Sequence, residues 1–194
     1  MRILLAIDAR QSAIDLKDPN LRKLKTNLEK KHIDYKYADP TQWHIPLSFV
    51  GDMGRERFAL LEQRLRDLGE TRGPFALKLD GIWAYPNQNE ARLIWIGVQN
   101  SRELRALRED VLGQLEPSRL APEDSGKPHL PLVRLRNHKN VSDLISPYKN
   151  TSFGTILVEK LVVYEMSSGG AFPIYKLLGE YPLGTGAELA PGAP

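Results

Sequence analysis

The feature that most constrains this chain is a short frame that occurs twice. Thr41 to Gly51 reads TQWHIPLSFVG, and Gly126 to Arg136 reads GKPHLPLVRLR. Both set down His, an aliphatic residue, Pro and Leu in that order, beginning at His44 and His129. On average composition, one His has on the order of one chance in a thousand of being followed by aliphatic-Pro-Leu. Here two of the four histidines are. Proline within a strand removes a ladder donor and is confined to an edge or a bulge. Accepting that twice at one offset from His points to a shared role.

The segments around the two frames repeat as well. RILLAIDA reads as a buried first strand, with an apolar run from Ile3 to Ile7. A helix follows, capped at Asp18 or Asn20, with Leu21, Leu24 and Leu28 at helical spacing. HIPLSFV alternates as a strand, with His44, Pro46 and Ser48 on one face and Ile45, Leu47 and Phe49 on the other. RERFALLEQRLRDLG is an amphipathic helix with Phe58, Leu61, Leu65 and Leu68 as its stripe and Gly69 as its stop. FALKLDGIWAY and ARLIWIGV are strands joined by PNQNE. The second half repeats the theme: a helix with Leu104, Leu107, Val111 and Leu115 inward, then the strand PHLPLVRL. A short helix NVSDLISPY, a long strand TILVEKLVVYEM and a last strand PIYKLLGEYPL complete it. The tail from Gly184 to Pro194, rich in Gly, Ala and Pro, is expected to be disordered. Each half thus supplies helices, antiparallel strands and one histidine strand, a duplication at the scale of a lobe. A rough two-fold would bring the histidine strands face to face.

Composition narrows the chemistry. There is no cysteine, hence no disulfide frame, zinc-thiolate site or thiol nucleophile. The opening apolar run ends at Asp8, too soon for a signal peptide. With 41% hydrophobic and 26% charged residues and no candidate membrane span, a cytoplasmic protein is expected. The net charge of +3 permits an anionic ligand without demanding one. A metal needs three or four ligands, and no Asp or Glu shares a strand face with either motif histidine. No nucleophile elbow is visible for a serine mechanism. Two opposed imidazoles suit concerted acid-base work, one accepting a proton while the other donates. A phosphodiester or cyclic phosphate is the natural substrate, with Arg134 and Arg136 placed to hold its oxygens.

These residues resemble the 2H phosphoesterase superfamily, in its 2′-5′ RNA ligase (RNA 2′,3′-cyclic phosphodiesterase) branch. MRILLAID is similar to that family's opening strand, and WHIPLSFVGDMG to its first motif, with Gly seven residues after the His. KPHLPLVRLR resembles the second motif, with Arg five residues after the His, and LVEKLVVYEMSSGGAFPIYKLLGEYPL the closing strand, loop and strand. The resemblance implies an α+β, bilobal fold: two pseudo-symmetric lobes of antiparallel strands, with outer helices, around a central cleft. Residues 1–183 would form one such domain of two intertwined lobes. It implies no metal and no cofactor, and a monomer acting on RNA ends or nucleoside 2′,3′-cyclic phosphates. Their hydrolysis would give 2′-phosphates, and some members join RNA ends reversibly through 2′-5′ bonds. Carried over, His44 is the general acid on the leaving 3′ oxygen, His129 the base that activates water, and Arg134 the phosphate grip.

The departure lies two residues after each His. The family has Thr or Ser there, whose hydroxyl donates to the phosphate; this chain has Pro46 and Pro131. Proline has no such donor. Ser48, Arg136 and Lys127 are the substitutes in reach, and three outcomes stay open: a working enzyme, a slow or differently specific one, or a site that binds RNA ends without turnover. The opening strand also has ILLA where relatives often carry Phe near the cleft. Other features have bland alternatives. Arg102, Arg105 and Arg108 form a face suited to RNA backbone or to solvent, beside Glu103 and Glu109. Among the tryptophans, Trp95 reads as core, whereas Trp83, with Tyr85, is the better base-stacking candidate. Ser167 to Gly170 reads as a hairpin turn, and His32 and His138 as solvated.

Overall fold

The structure is a computed structural model describing residues 1–10, 18–114, 127–169 and 172–184. Leu115, Gly170 and the tail beyond Gly184 lie outside the described residues. Among the described residues, nine strands and four α-helices run in the order β1 (Arg2–Asp8), α1 (Pro19–Lys30), β2 (Tyr35–Tyr37), β3 (His44–Asp52), α2 (Arg55–Thr71), β4 (Phe75–Tyr85), β5 (Ala91–Val98), α3 (Arg102–Gln114), β6 (His129–Lys139), α4 (Ser142–Ile145), β7 (Ser152–Val158), β8 (Lys160–Gly169) and β9 (Phe172–Pro182). The strands form two antiparallel sheets, ordered β3-β1-β8-β9 and β2-β6-β5-β4-β7. The two histidine strands take equivalent places: β3 pairs with β1, and β6 with β5.

Local chemistry accounts for the helices. The Asp18 carboxylate accepts from the backbone N–H groups of Asn20 and Leu21, at 2.8 and 3.1 Å, and Pro19 opens the first turn. The stripes Leu21-Leu24-Leu28, Leu61-Leu65-Leu68 and Leu104-Leu107-Val111 all enter one continuous core with the inner faces of both sheets. Gly69 does not stop α2, which runs on to Thr71. Its role is close approach, since a Cβ there would collide with the carbonyl oxygen of Pro182 in β9.

The expected long strand from Thr155 to Met166 is two strands. It breaks at Glu159: β7 pairs with β4 in one sheet, and β8 with β1 and β9 in the other. The core residues show why. Ile156 and Val158 are buried on one register, Leu161 and Val163 on the next, so a continuous two-residue period cannot serve both. The chain crosses between lobes at this point. Among the described residues, no helix is long and apolar enough to span a membrane.

Candidate active site

Each sheet turns one face to the core and one to the cleft. On the first sheet, Leu4, Ala6, Val162 and Tyr164, with Phe49 and Tyr175, form a small separate cluster on the cleft side. On the second, the register aligns Trp83 with Trp95 and Trp95 with Pro131, and pairs Gly97 with His129. The cleft is an open groove lined by His44, Gln42 and Tyr175 from one lobe and by Lys36, Leu93, Pro131 and Arg134 from the other.

A β-bulge at the same place in both motifs sets this geometry. Along β3, Pro46 faces Ala6 and Ser48 faces Leu5, so Leu47 is the extra residue. Along β6, Pro131 faces Trp95 and Val133 faces Ile94, so Leu132 is extra. Beyond each bulge the alternation reverses. An unbroken strand would send residues five apart to opposite faces. The bulge instead returns Arg134, opposite Leu93, to the cleft face that carries His129 and Pro131. The equivalent residue of the first motif is Phe49, opposite Leu4. The prolines thus sit where proline is tolerated, next to a bulge, with β3 an edge strand as well.

The same bulge removes Ser48 from the site. It lies opposite Leu5, a core residue, and is buried on the core side, away from Pro46. The expectation that Ser48 shares a face with His44 is therefore corrected by one inserted residue. Arg136 is held elsewhere, its Nε 2.9 Å from the carboxylate of Asp34, the residue just before β2. The Lys127 backbone carbonyl meets the His129 ring.

Both motif histidines are buried and identically anchored. His44 Nδ1 lies 2.6 Å from the carbonyl of Gln42, and His129 Nδ1 lies 2.8 Å from that of Lys127. A carbonyl can only accept, so Nδ1 carries the hydrogen in each, and the neutral ring has its lone pair on Nε2. His44 Nε2 is buried with no hydrogen-bond partner. Burial pushes the His44 imidazole down to about 4, with the nearby charges of His129 and Arg134 adding to the fall against the pull of the Gln42 carbonyl and Asp8. The two imidazoles therefore sense each other electrostatically across the cleft.

Aromatic rings hold both imidazoles. His44 packs on Tyr164 and Tyr175, at centroid distances of 5.2 and 4.8 Å. His129 stacks on Trp95 at 4.4 Å, and Trp95 in turn on Tyr85 at 6.2 Å. Trp95 is thus buried, but as the seat of an imidazole and outside the main core. Trp43 is the core tryptophan, its indole N–H donating to the Ala38 carbonyl. Beside His44 in register, Asp8 is bonded by Arg10 at 2.7 and 2.9 Å and by Lys160 at 3.2 Å; both cations also meet Glu180. Burial pushes the Asp8 carboxyl up, but the Arg10 and Lys160 bonds more than offset this and leave it below its ordinary value. This cluster ties β1, β8 and β9 together next to the site. Sequence reading missed Tyr164, Tyr175 and the Asp8 cluster, although Asp8 closes the first strand and both tyrosines lie in the closing segment already matched.

Comparison with known proteins agrees with this architecture. The family described as LigT like Phosphoesterase matches residues 14–95. An RNA 2′,3′-cyclic phosphodiesterase of Archaeoglobus fulgidus is 30% identical over 91% of this chain and 97% of its own. One of Methanothermobacter thermautotrophicus is 25% identical over 90% of this chain and 95% of its own. A crystal structure from Thermus thermophilus superposes with a TM-score of 0.72 at 19% identity, covering 94% of this chain and 98% of that one, which shows a shared fold. Identity of 30% across nearly the whole chain, together with the shared fold, makes the class that of a phosphoesterase. This chain belongs to the LigT-like phosphoesterase family.

Proposed function

We propose that this protein opens the terminal 2′,3′-cyclic phosphate of RNA to a 2′-phosphate, with His44 and His129 as the acid-base pair. The observation that carries the reading is the pair itself: two buried imidazoles, each fixed through Nδ1 to the carbonyl two residues earlier, with His44 in the cleft beside Arg134 and His129 close enough to shift its charge. In-line displacement at phosphorus needs a base behind the nucleophile and an acid behind the leaving oxygen, on opposite sides of the phosphate. Two histidine strands, one in each sheet, support that reading.

In this reading His129 takes a proton from water as its oxygen attacks phosphorus, and the P–O3′ bond breaks. His44 Nε2 gives its proton to O3′. The products are a 2′-phosphate and a 3′-hydroxyl, leaving His129 charged and His44 neutral, and solvent exchange restores both. A 5′-hydroxyl in place of water would give a 2′-5′ linkage by the same steps. Burial keeps His44 neutral at pH 7, so its acid role requires the anionic phosphate to bind first and raise its proton affinity. That same neutrality favours a second assignment with the roles exchanged, which a pH-rate profile on each single-histidine variant separates. Arg134 grips the phosphate, and Pro46 and Pro131 shape the cleft walls without donating.

The test is direct. Purified protein with EDTA present should convert a 2′,3′-cyclic phosphate to the 2′-phosphate, and His44→Ala and His129→Ala should each lower the rate about a hundred- to ten-thousandfold. Turnover that survives both changes sinks the mechanism. Tight binding of RNA ends without turnover would mark a binding protein instead.

A further inference from the structure

Of the three tryptophans, Trp43 and Trp95 are 2% and 5% exposed, whereas Trp83 is 44% exposed. A tryptophan left in water forgoes much of the roughly 150–250 Å² of burial that such a side chain can give. Yet Trp83 is not loose. Its indole lies against two glycines: a Cβ on Gly97 would come within 3.0 Å of Nε1 and 3.1 Å of Cδ1, and one on Gly81 within 2.7 Å of Nε1. Gly81 also has φ of +68°, which L side chains rarely adopt. The backbone therefore cradles an exposed ring in one place.

That place adjoins the chemistry. Gly97, under the indole, is the register partner of His129. Neighbouring strands lie about 4.8 Å apart, so the Trp83 ring stands roughly one strand from the imidazole strand. Trp83 also pairs with Trp95, which stacks on His129. A rigid aromatic face, water-exposed and one strand from a catalytic imidazole, matches the separation between a nucleobase and its own 2′,3′-phosphate.

We propose that Trp83 is the stacking platform for the base of the nucleotide that carries the reactive phosphate. This rests on the cyclic-phosphate reading above and adds to it a base subsite on the β4–β5 side of His129. Stacking is sequence-tolerant because every base has a π-face, so the platform should favour a nucleoside over a base-free sugar while discriminating little between bases.

The experiment compares adenosine 2′,3′-cyclic phosphate with methyl riboside 2,3-cyclic phosphate, which lacks the base. Wild type should prefer the nucleoside, and Trp83→Ala should raise KM for it about ten- to hundredfold and so erase the preference. Trp83→Phe, which keeps a ring, should retain most of it. A preference intact in Trp83→Ala overturns the proposal, as does an equal loss on both substrates, which would mark a structural role. If wild type turns over neither substrate, the activity reading fails, and the platform is judged by fluorescence alone. Adenosine 2′-phosphate should quench the indole emission of wild type and not of Trp83→Phe; equal quenching in the two overturns the platform.

Discussion

Replacing His44 by Asn should flatten the stability of this protein between pH 6.5 and about pH 4. The Asn amide can still donate to the Gln42 carbonyl that His44 Nδ1 now bonds at 2.6 Å; the variant removes the proton site, and its lost packing on Tyr164 and Tyr175 costs the same at every pH. The buried imidazole is pushed from 6.5 down to about 4. In that window the unfolded chain holds a proton on this residue and the folded chain does not. Stability therefore rises with pH across it: the contribution is complete above 6.5 and lost as pH falls through about 4. The displacement corresponds to about 3 kcal/mol between the two limits, a large part of an ordinary folding free energy. Asp8 and Glu180 also sit below their ordinary values and make the wild type lose stability in acid. The informative quantity is thus the difference between wild type and variant at each pH. Urea unfolding at pH 7.5, 6.5, 5.5 and 4.5 measures it, provided the m-value is unchanged. Parallel profiles for the two proteins would refute the claim that His44 is buried and neutral.

Two further outcomes are expected. Changing Pro46 and Pro131 together to Thr puts two hydroxyls on the cleft face and should raise cyclic-phosphate turnover, by less than the roughly hundred- to thousandfold a fully aimed donor gives; a flat or lower rate would show that the cleft already holds the phosphate by other groups. Gly69→Ala should destabilise the fold by about 1–3 kcal/mol in urea despite better helix propensity, because the new Cβ meets the Pro182 carbonyl; a stabilised variant would show that β9 yields easily.

Much of the fold was legible because its elements announce themselves locally. The leucine stripes of α1, α2 and α3 follow helical period, and the strands of the two histidine motifs follow from alternation. The failures fall where tertiary contact overrides the local pattern. Tyr35–Tyr37 forms a three-residue strand because β6 offers an edge, and nothing within those residues demands it. Leu157 to Tyr164 looks like one apolar strand because its Val162 and Tyr164 are buried on the cleft side, which masks the change of core register at Glu159. Gly69 resembles a helix stop until β9 is seen against it.

The site was legible for a different reason: its symmetry survives in the sequence. The repeated His-aliphatic-Pro-Leu frame picked out two histidines that the structure buries and anchors alike, with His129 near enough to act on the charge of His44. It could not assign faces beyond the fourth residue, because a bulge moves every later side chain to the other side. That one-residue slip acts on both motifs. Ser48 was expected in the cleft and lies against the core, while Arg134, at an odd spacing from His129, reaches the cleft where simple alternation would have turned it away. The prolines held the clue, since a proline at the same place in two equivalent strands is itself a bulge signal. Taken with them, the five-residue spacing from His to Arg implies the bulge. An arginine six residues after the His would face the core, and Arg136, two residues beyond Arg134, is tied instead to Asp34. The placing of Arg134 in the cleft therefore depends on a backbone irregularity as much as on the residue itself. The second motif shows this most clearly, where Leu132 occupies the extra position that turns Arg134 toward the imidazoles.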